Sequence, residues 1–131
     1  MNDTVEFGDA VTAPFWAAAR EKRLLLQRCR ACGEYQFYPR NFCLGCDSID
    51  VEWVQAKGTG VIYSMTVNRI QVLPDMAPPY VVALIQLTEG PRLLSNVVSQ
   101  PCRIGDAVRV SWREREGAPP LPVFERISGA P

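Results

Sequence analysis

Four cysteines carry the clearest chemistry in this sequence. Cys29-Arg30-Ala31-Cys32 and Cys43-Leu44-Gly45-Cys46 are two C-x2-C pairs separated by ten residues. Two such pairs in one short segment are the signature of a structural metal site. Each pair occupies a tight turn, so both of its sulfurs point the same way. A hairpin between the pairs folds one turn against the other, and four thiolates then surround one ion as a tetrahedron. Gly33 follows the first pair and Gly45 lies within the second, where such turns call for a positive φ or an unshielded N–H. Zinc is the expected ion. Four thiolates also accept iron, and the spacing does not separate the two. The competing arrangement is two disulfides, but a disulfide framework would spread its cysteines over more than one segment.

The remaining residues offer little for catalysis. The chain has no histidine, which removes the commonest general base and any His-activated nucleophile. Cys102, between Pro101 and Arg103, has no such partner and reads as a spare thiol. Gly58-Thr59-Gly60 lacks the downstream residues of a phosphate loop. Glu52, Asp75, Asp106 and Glu125 are scattered without evident pairing. A four-cysteine site keeps no open position for water. The expectation is a chain without catalytic residues of its own.

The elements that must hold the cysteines fit into 131 residues. Lys and Arg number 14 and so do Asp and Glu, a balance that argues against a dedicated nucleic-acid binder. No apolar run is long enough to span a membrane. The acidic start MNDTVEFGDA does not read as a signal peptide, so a cytoplasmic setting is expected, where thiolates stay reduced.

Residues 1–23 read as an acidic arm followed by a short amphipathic helix over about 13–22. Thr12 is placed to cap it, Pro14 suits its first turn, and Phe15, Ala18 and Ala19 share one face. Residues 24–50 read as a zinc ribbon: an apolar strand at 24–28, an aromatic strand at 34–38 ending at Pro39, and the two metal turns. Residues 51–131 read as an OB-type barrel of about five strands, with an SH3-like barrel as the fallback. Its long first strand starts at Val51 and bends at Gly58-Thr59-Gly60, and its last begins near Val123, after Pro119-Pro120-Leu121-Pro122. The fold class is therefore mainly β: N-terminal helix, zinc ribbon, then a five-stranded OB-fold barrel.

Four side chains are candidates for partner binding. Phe15 and Trp16 on the helix are of the type that anchors interfaces, although they could equally lid the chain's own core. Leu73 and Met76 sit in the proline-stiffened stretch 69–79, the connection that faces ligands in OB barrels. That stretch lacks the cations and aromatics of an oligonucleotide groove. Arg20 and Arg23 could meet phosphate. Arg28 and Arg30, which flank Cys29, are expected to balance the negative thiolate cluster, in preference to joining Arg20, Lys22 and Arg23 in a phosphate-binding patch.

The order of aromatic helix, Cys29-x2-Cys32-Gly33, aromatic strand with Pro39, Cys43-x2-Cys46, Gly58-Thr59-Gly60, "YVVALIQLTEGPRLLSNVV", "IGDAVRV" and "LPVFER" resembles one family over about residues 13–127. These are small proteins with a rubredoxin-like zinc ribbon followed by an acyl-CoA-associated OB-fold. The resemblance implies a non-catalytic accessory subunit in a hetero-oligomer with a thiolase-like enzyme. That enzyme would act on acyl-CoA thioesters by thiolysis, acyl transfer or retro-aldol cleavage of steroid side chains, and CoA thioester would be a ligand of the complex only. A single-stranded nucleic-acid-binding ribbon/OB module is the alternative, disfavoured by the neutral charge.

Overall fold

The computed structural model describes residues 9–71, 74, 77–99 and 101–127. A helix, α1 (Ala13–Arg20), is followed by β1 (Leu25–Cys29), β2 (Tyr35–Gln36) and β3 (Val51–Gln55). The second half is β4 (Thr59–Asn68), β5 (Tyr80–Leu87), β6 (Arg92–Val97), β7 (Ala107–Arg115) and β8 (Ala118–Arg126). No helix among the described residues is long and apolar enough to cross a membrane.

The first three strands form an antiparallel sheet in the order β2–β1–β3. β1 pairs with β2 as the expected hairpin, at Gln27–Gln36 and Arg28–Tyr35, and with β3 from Leu25–Gln55 to Cys29–Val51. The second pairing differs from the expectation that Val51 opens the barrel. Gly58 explains it. Its φ of 82° is left-handed, and a Cβ there would lie 2.8 Å from Val110 Cγ1. The strand direction breaks at this point, so residues 51–55 stay with the ribbon and the barrel starts at Thr59.

The barrel is closed, in the order β4–β5–β6–β8–β7, with a parallel contact at Val97–Phe124. β4 closes it by serving two neighbours. It pairs with β5 from Gly60 to Asn68 and with β7 at Thr59–Val61, and a bulge between Ile62 and Ser64 supplies the bend. Gly60 permits the tight corner, since a Cβ there would stand 2.4 Å from the Gln86 carbonyl oxygen. β5 shows the strict alternation of a half-buried strand, with Val81, Ala83, Ile85 and Leu87 inward. β8 begins five residues before the expected Val123 and includes all three prolines. Up to Val123 it pairs with β7 alone, so the missing N–H groups fall on an edge-like stretch where they leave no ladder incomplete.

One core joins the helix, the ribbon and the barrel. Phe15 of α1 and Leu24 and Leu26 of the ribbon pack in the same cluster as Ile62, Val81, Ile85, Leu93, Val108 and Phe124 of the barrel. α1 lies against β8 and β1 and covers that core with Phe15, Ala18 and Ala19. It ends at Arg20, two residues before the expected limit, as Lys22 takes a left-handed φ of 60°. Thr12 occupies the N-cap position but does not cap. Its hydroxyl hydrogen-bonds Asp9 Oδ1 at 3.0 Å, and its N–H donates to the same oxygen at 2.9 Å. Those contacts hold the Asp9 carboxyl below its ordinary range, the Thr12 amide contributing most.

Candidate functional site

The four cysteine sulfurs all lie within 4.8 Å of one another. Cys29 Sγ is 3.6 Å from Cys46 Sγ, and Cys32 Sγ is 3.6 Å from Cys43 Sγ. A disulfide needs about 2.05 Å, so these sulfurs are not bonded to each other. A tetrahedron with zinc–sulfur bonds of about 2.3 Å has edges of about 3.8 Å, so the donor set fits the ion.

Each pair is shaped by its own turn. Gly33 donates to the Cys29 carbonyl at 2.8 Å with φ 81°, and the Cys32 N–H points at Cys29 Sγ at 3.4 Å. In the second pair the Gly45 N–H points at Cys43 Sγ at 3.2 Å, and Asp47 donates to the Cys43 carbonyl. Such N–H groups favour thiolate. The Cys32 amide draws the Cys29 thiol down to about 7. At Cys46 the Ser48 amide pulls the same way, but the neighbouring Cys29 sulfur and lost hydration outweigh it and push that thiol up to about 12. Four thiols this close cannot all ionise without a cation, and a divalent ion supplies the missing charge. Cys29 and Cys43 are buried, while Cys32 and Cys46 face outward.

Gln27 is the residue that sequence reasoning missed. It is buried on β1 and grips the second turn from behind. Its Nε2 donates to the Arg40 carbonyl, its Oε1 accepts from the Arg40 N–H, and Gln36 Nε2 donates to the same Oε1, all at 2.8 Å. Gln36 also donates to the Phe42 carbonyl and accepts from the Leu44 N–H. These two glutamines fix residues 40–44, and so place Cys43. The usable signal was a polar residue inside an apolar strand.

Arg28 and Arg30 do not serve the thiolates as expected. Arg28 pairs with Glu52 at 3.3 Å, and Arg30 with Asp50 at 2.8 Å and Glu52 at 3.1 Å. The β1–β3 register explains this, since it sets Arg28 opposite Glu52.

The candidate binding residues separate. Phe15 is only 4% exposed and packs in the chain's own core, so it is not available to a partner and its expected docking role is corrected. Trp16 is half-buried, edge-on to Phe15, with the Arg115 guanidinium 5.7 Å from its ring centre. Arg23 is held by Glu21 at 2.8 Å. Arg20 is exposed and has no carboxylate partner among the described residues. Leu73 and Met76 lie outside the described residues. Cys102 packs half-buried against the barrel core, with its thiol raised by burial and by Asp106.

Two family models cover this arrangement. The ChsH2 rubredoxin-like zinc ribbon domain matches residues 16–52, and the ChsH2 C-terminal OB-fold domain matches residues 53–113. The chain belongs to the ChsH2/DUF35 family.

The family likeness extends to a solved structure, "Ltp2-ChsH2(DUF35) aldolase", at 38% identity and a TM-score of 0.83, covering 91% of this chain and 96% of that one. A Thermomonospora curvata protein named "Probable enoyl-CoA hydratase alpha subunit" is 42% identical over 114 residues, 84% of this chain and 36% of its own length. A Mycobacterium tuberculosis protein, "3-oxo-4,17-pregnadiene-20-carboxyl-CoA hydratase alpha subunit", is 31% identical over 77% of this chain and 33% of its own length. This chain thus spans about a third of those two relatives. A Pyrococcus furiosus "DUF35 domain-containing scaffold protein" is 31% identical over 78% of this chain and 76% of its own length.

Proposed function

We propose that this ChsH2/DUF35 chain is the accessory part of an acyl-CoA-processing enzyme, paired with a thiolase-like subunit that carries the chemistry. The observation that supports this most is the likeness to the DUF35 chain of an aldolase, at 38% identity and nearly end to end on both chains. The ribbon supports it from a second side. Four thiolates close the metal's coordination, so when bound the ion supplies structure to residues 30–50 rather than a water-activating position. The absence of histidine leaves acid–base work at neutral pH to another subunit. Trp16, half-buried on α1, is the anchor we assign to the partner contact, and the stretch 69–79 is the second candidate. We place the complex in the cytoplasm, where the thiolates stay reduced.

The reaction we favour is retro-aldol cleavage of a β-hydroxyacyl-CoA thioester. The C–C bond breaks to give a carbonyl compound and a shortened acyl-CoA, with a proton moving from the hydroxyl to the departing α-carbon. The test is carbonyl release from such a thioester by the candidate subunit, by this chain, and by both together. Cleavage only by the pair supports the proposal. Cleavage by this chain alone, or full activity of the subunit without it, overturns it.

A further inference from the structure

The ribbon sheet has two edges, and only one of them is guarded. β2 is blunted by its length of two residues. β3, on the other side of β1, runs for five. It holds no proline and no lysine, and its register with β1 has no bulge, so it lacks the usual devices that keep an edge from pairing. Its one charge, Glu52, is taken by Arg28 and Arg30.

The register fixes which groups this edge offers. The Arg30 N–H donates to the Asp50 carbonyl, and the Ala56 N–H to that of Leu24. These bonds mark the even-numbered residues of β3 as the ones that exchange hydrogen bonds with β1, so Glu52 and Val54 bond to Arg28 and Leu26. Val51, Trp53 and Gln55 turn their main-chain groups the other way. The Val51 N–H is met by the Ile49 carbonyl at 3.0 Å. The N–H and carbonyl of Trp53 and of Gln55, and the Val51 carbonyl, have no hydrogen-bond partner among the described residues. They form the outer row of a ladder. Gln55 is exposed at one end, and Ile49, 83% exposed, stands just ahead of the other.

We propose that an extended segment of the thiolase-like subunit adds to β3 as a fourth strand of the ribbon sheet, exchanging main-chain hydrogen bonds with Trp53 and Gln55. The assignment rests on the accessory-subunit reading above and deepens it by naming a contact surface. Size decides the occupant. Five residues span about 17 Å, and a stable interface takes about 20–30 residues a side, so two β3 edges paired together are too small to hold two copies of this chain. A strand from a partner that is anchored elsewhere as well meets no such limit. β1 links the two contacts, since α1 with Trp16 packs on it and β3 pairs with it. Ile49 offers the added strand an apolar side chain to cover.

Hydrogen exchange resolved to single amides tests this on the zinc-loaded full chain, alone and with the thiolase-like subunit. In the free chain the Trp53 and Gln55 amides should exchange fast and those of Glu52 and Val54 slowly, and in the complex all four should be slow. The paired variants are Gln55→Pro and Gln55→Ala. Proline removes the outward N–H and puts a ring carbon in its place, yet costs β1 no bond, so zinc content should be unchanged. Association of Gln55→Pro, measured by calorimetry, should weaken about tenfold or more. Gln55→Ala keeps the N–H and should bind as the wild type does. A complex in which Trp53 and Gln55 still exchange fast overturns the proposal, as does Gln55→Pro binding as tightly as Gln55→Ala. If Gln55→Pro loses zinc, the exchange pattern of the wild-type complex decides alone. Protection of the two amides in the free chain that rises with concentration, alongside a doubled mass, gives the edge to a second copy and overturns the proposal too. No association of the wild-type chain strikes the proposed function itself and this contact with it, whereas association with an unprotected edge strikes this contact alone.

Discussion

Cys43→Ser should remove the metal and melt one part of the molecule while leaving the rest docked. Cys43 is 1% exposed, its sulfur lies 3.6 Å from that of Cys32, and it accepts from the Gly45 N–H. Changes to groups around metal ligands alone weaken sites about 10–100-fold, so losing a thiolate should cost more than about a hundredfold in zinc affinity. The structural consequence follows from where the core lies. Within residues 30–50 the buried positions are Pro39 and Cys43 alone, so the metal is that segment's main source of order. Structural zinc contributes on the order of 10 kcal/mol or more to such folds. Leu24 and Leu26 are 2% and 0% exposed within the barrel's core, and each buried leucine is worth about 1.5–3 kcal/mol. β1 therefore remains attached. The assay is zinc stoichiometry by mass spectrometry together with amide hydrogen exchange. Bound zinc should fall from one per chain to near zero, and protection should be lost over residues 30–50 but kept over β4–β8. Cys102→Ser, which is outside the site, should retain full zinc. Full zinc and unchanged protection in Cys43→Ser would mean that Cys43 neither holds the ion nor orders this segment through it.

Three further outcomes are expected. Gln27→Ala removes the partner of the Arg40 N–H and carbonyl and one of the acceptors of the Gln36 amide, so it should cost about 2–3 kcal/mol by denaturant titration and weaken zinc about tenfold or more in chelator competition. Gly60→Ala forces a methyl against the Gln86 carbonyl oxygen at the closing corner of the barrel, and overpacking of this kind should cost about 2–3 kcal/mol, read as a lower denaturation midpoint at unchanged slope. Zinc affinity should fall with acid, because each ligand must be deprotonated to bind. The sign follows from protons competing for thiolates: below about 7 even Cys29, whose thiol is lowered when metal-free, is protonated, and chelator competition across that range should show the loss.

The parts of the molecule legible in the sequence were those with a local rule. Two C-x2-C pairs announced the metal turns, and the β-forming run at 80–87 announced a strand without saying which of its residues turn inward. The parts that were not legible depend on partners distant in the chain. Val51–Gln55 has the texture of a barrel strand, but Gly58 breaks the chain direction and β1 offers an open edge nearer at hand. The prolines of β8 read as a loop because nothing local says that β7 alone pairs with that stretch. Arg28 and Arg30 were expected to neutralise sulfur, whereas the β1–β3 register gives them Glu52 and Asp50. Phe15 and Trp16 are adjacent on one helix, and only the packing against β1 and β8 decides that Phe15 turns inward and Trp16 toward the rim.

The proposed role of this chain is that of the accessory part of a complex with a thiolase-like subunit. The direct measurement is co-expression with candidate thiolase-like or aldolase subunits from the same source, one of them tagged. Purification is followed by size-exclusion chromatography with light scattering and zinc analysis. One peak containing both chains in fixed ratio, with one zinc per copy of this chain, is expected. Elution of this chain by itself at the mass of its own 14.6 kDa chain or its self-assembly, beside every such candidate in folded, zinc-loaded form, would contradict it.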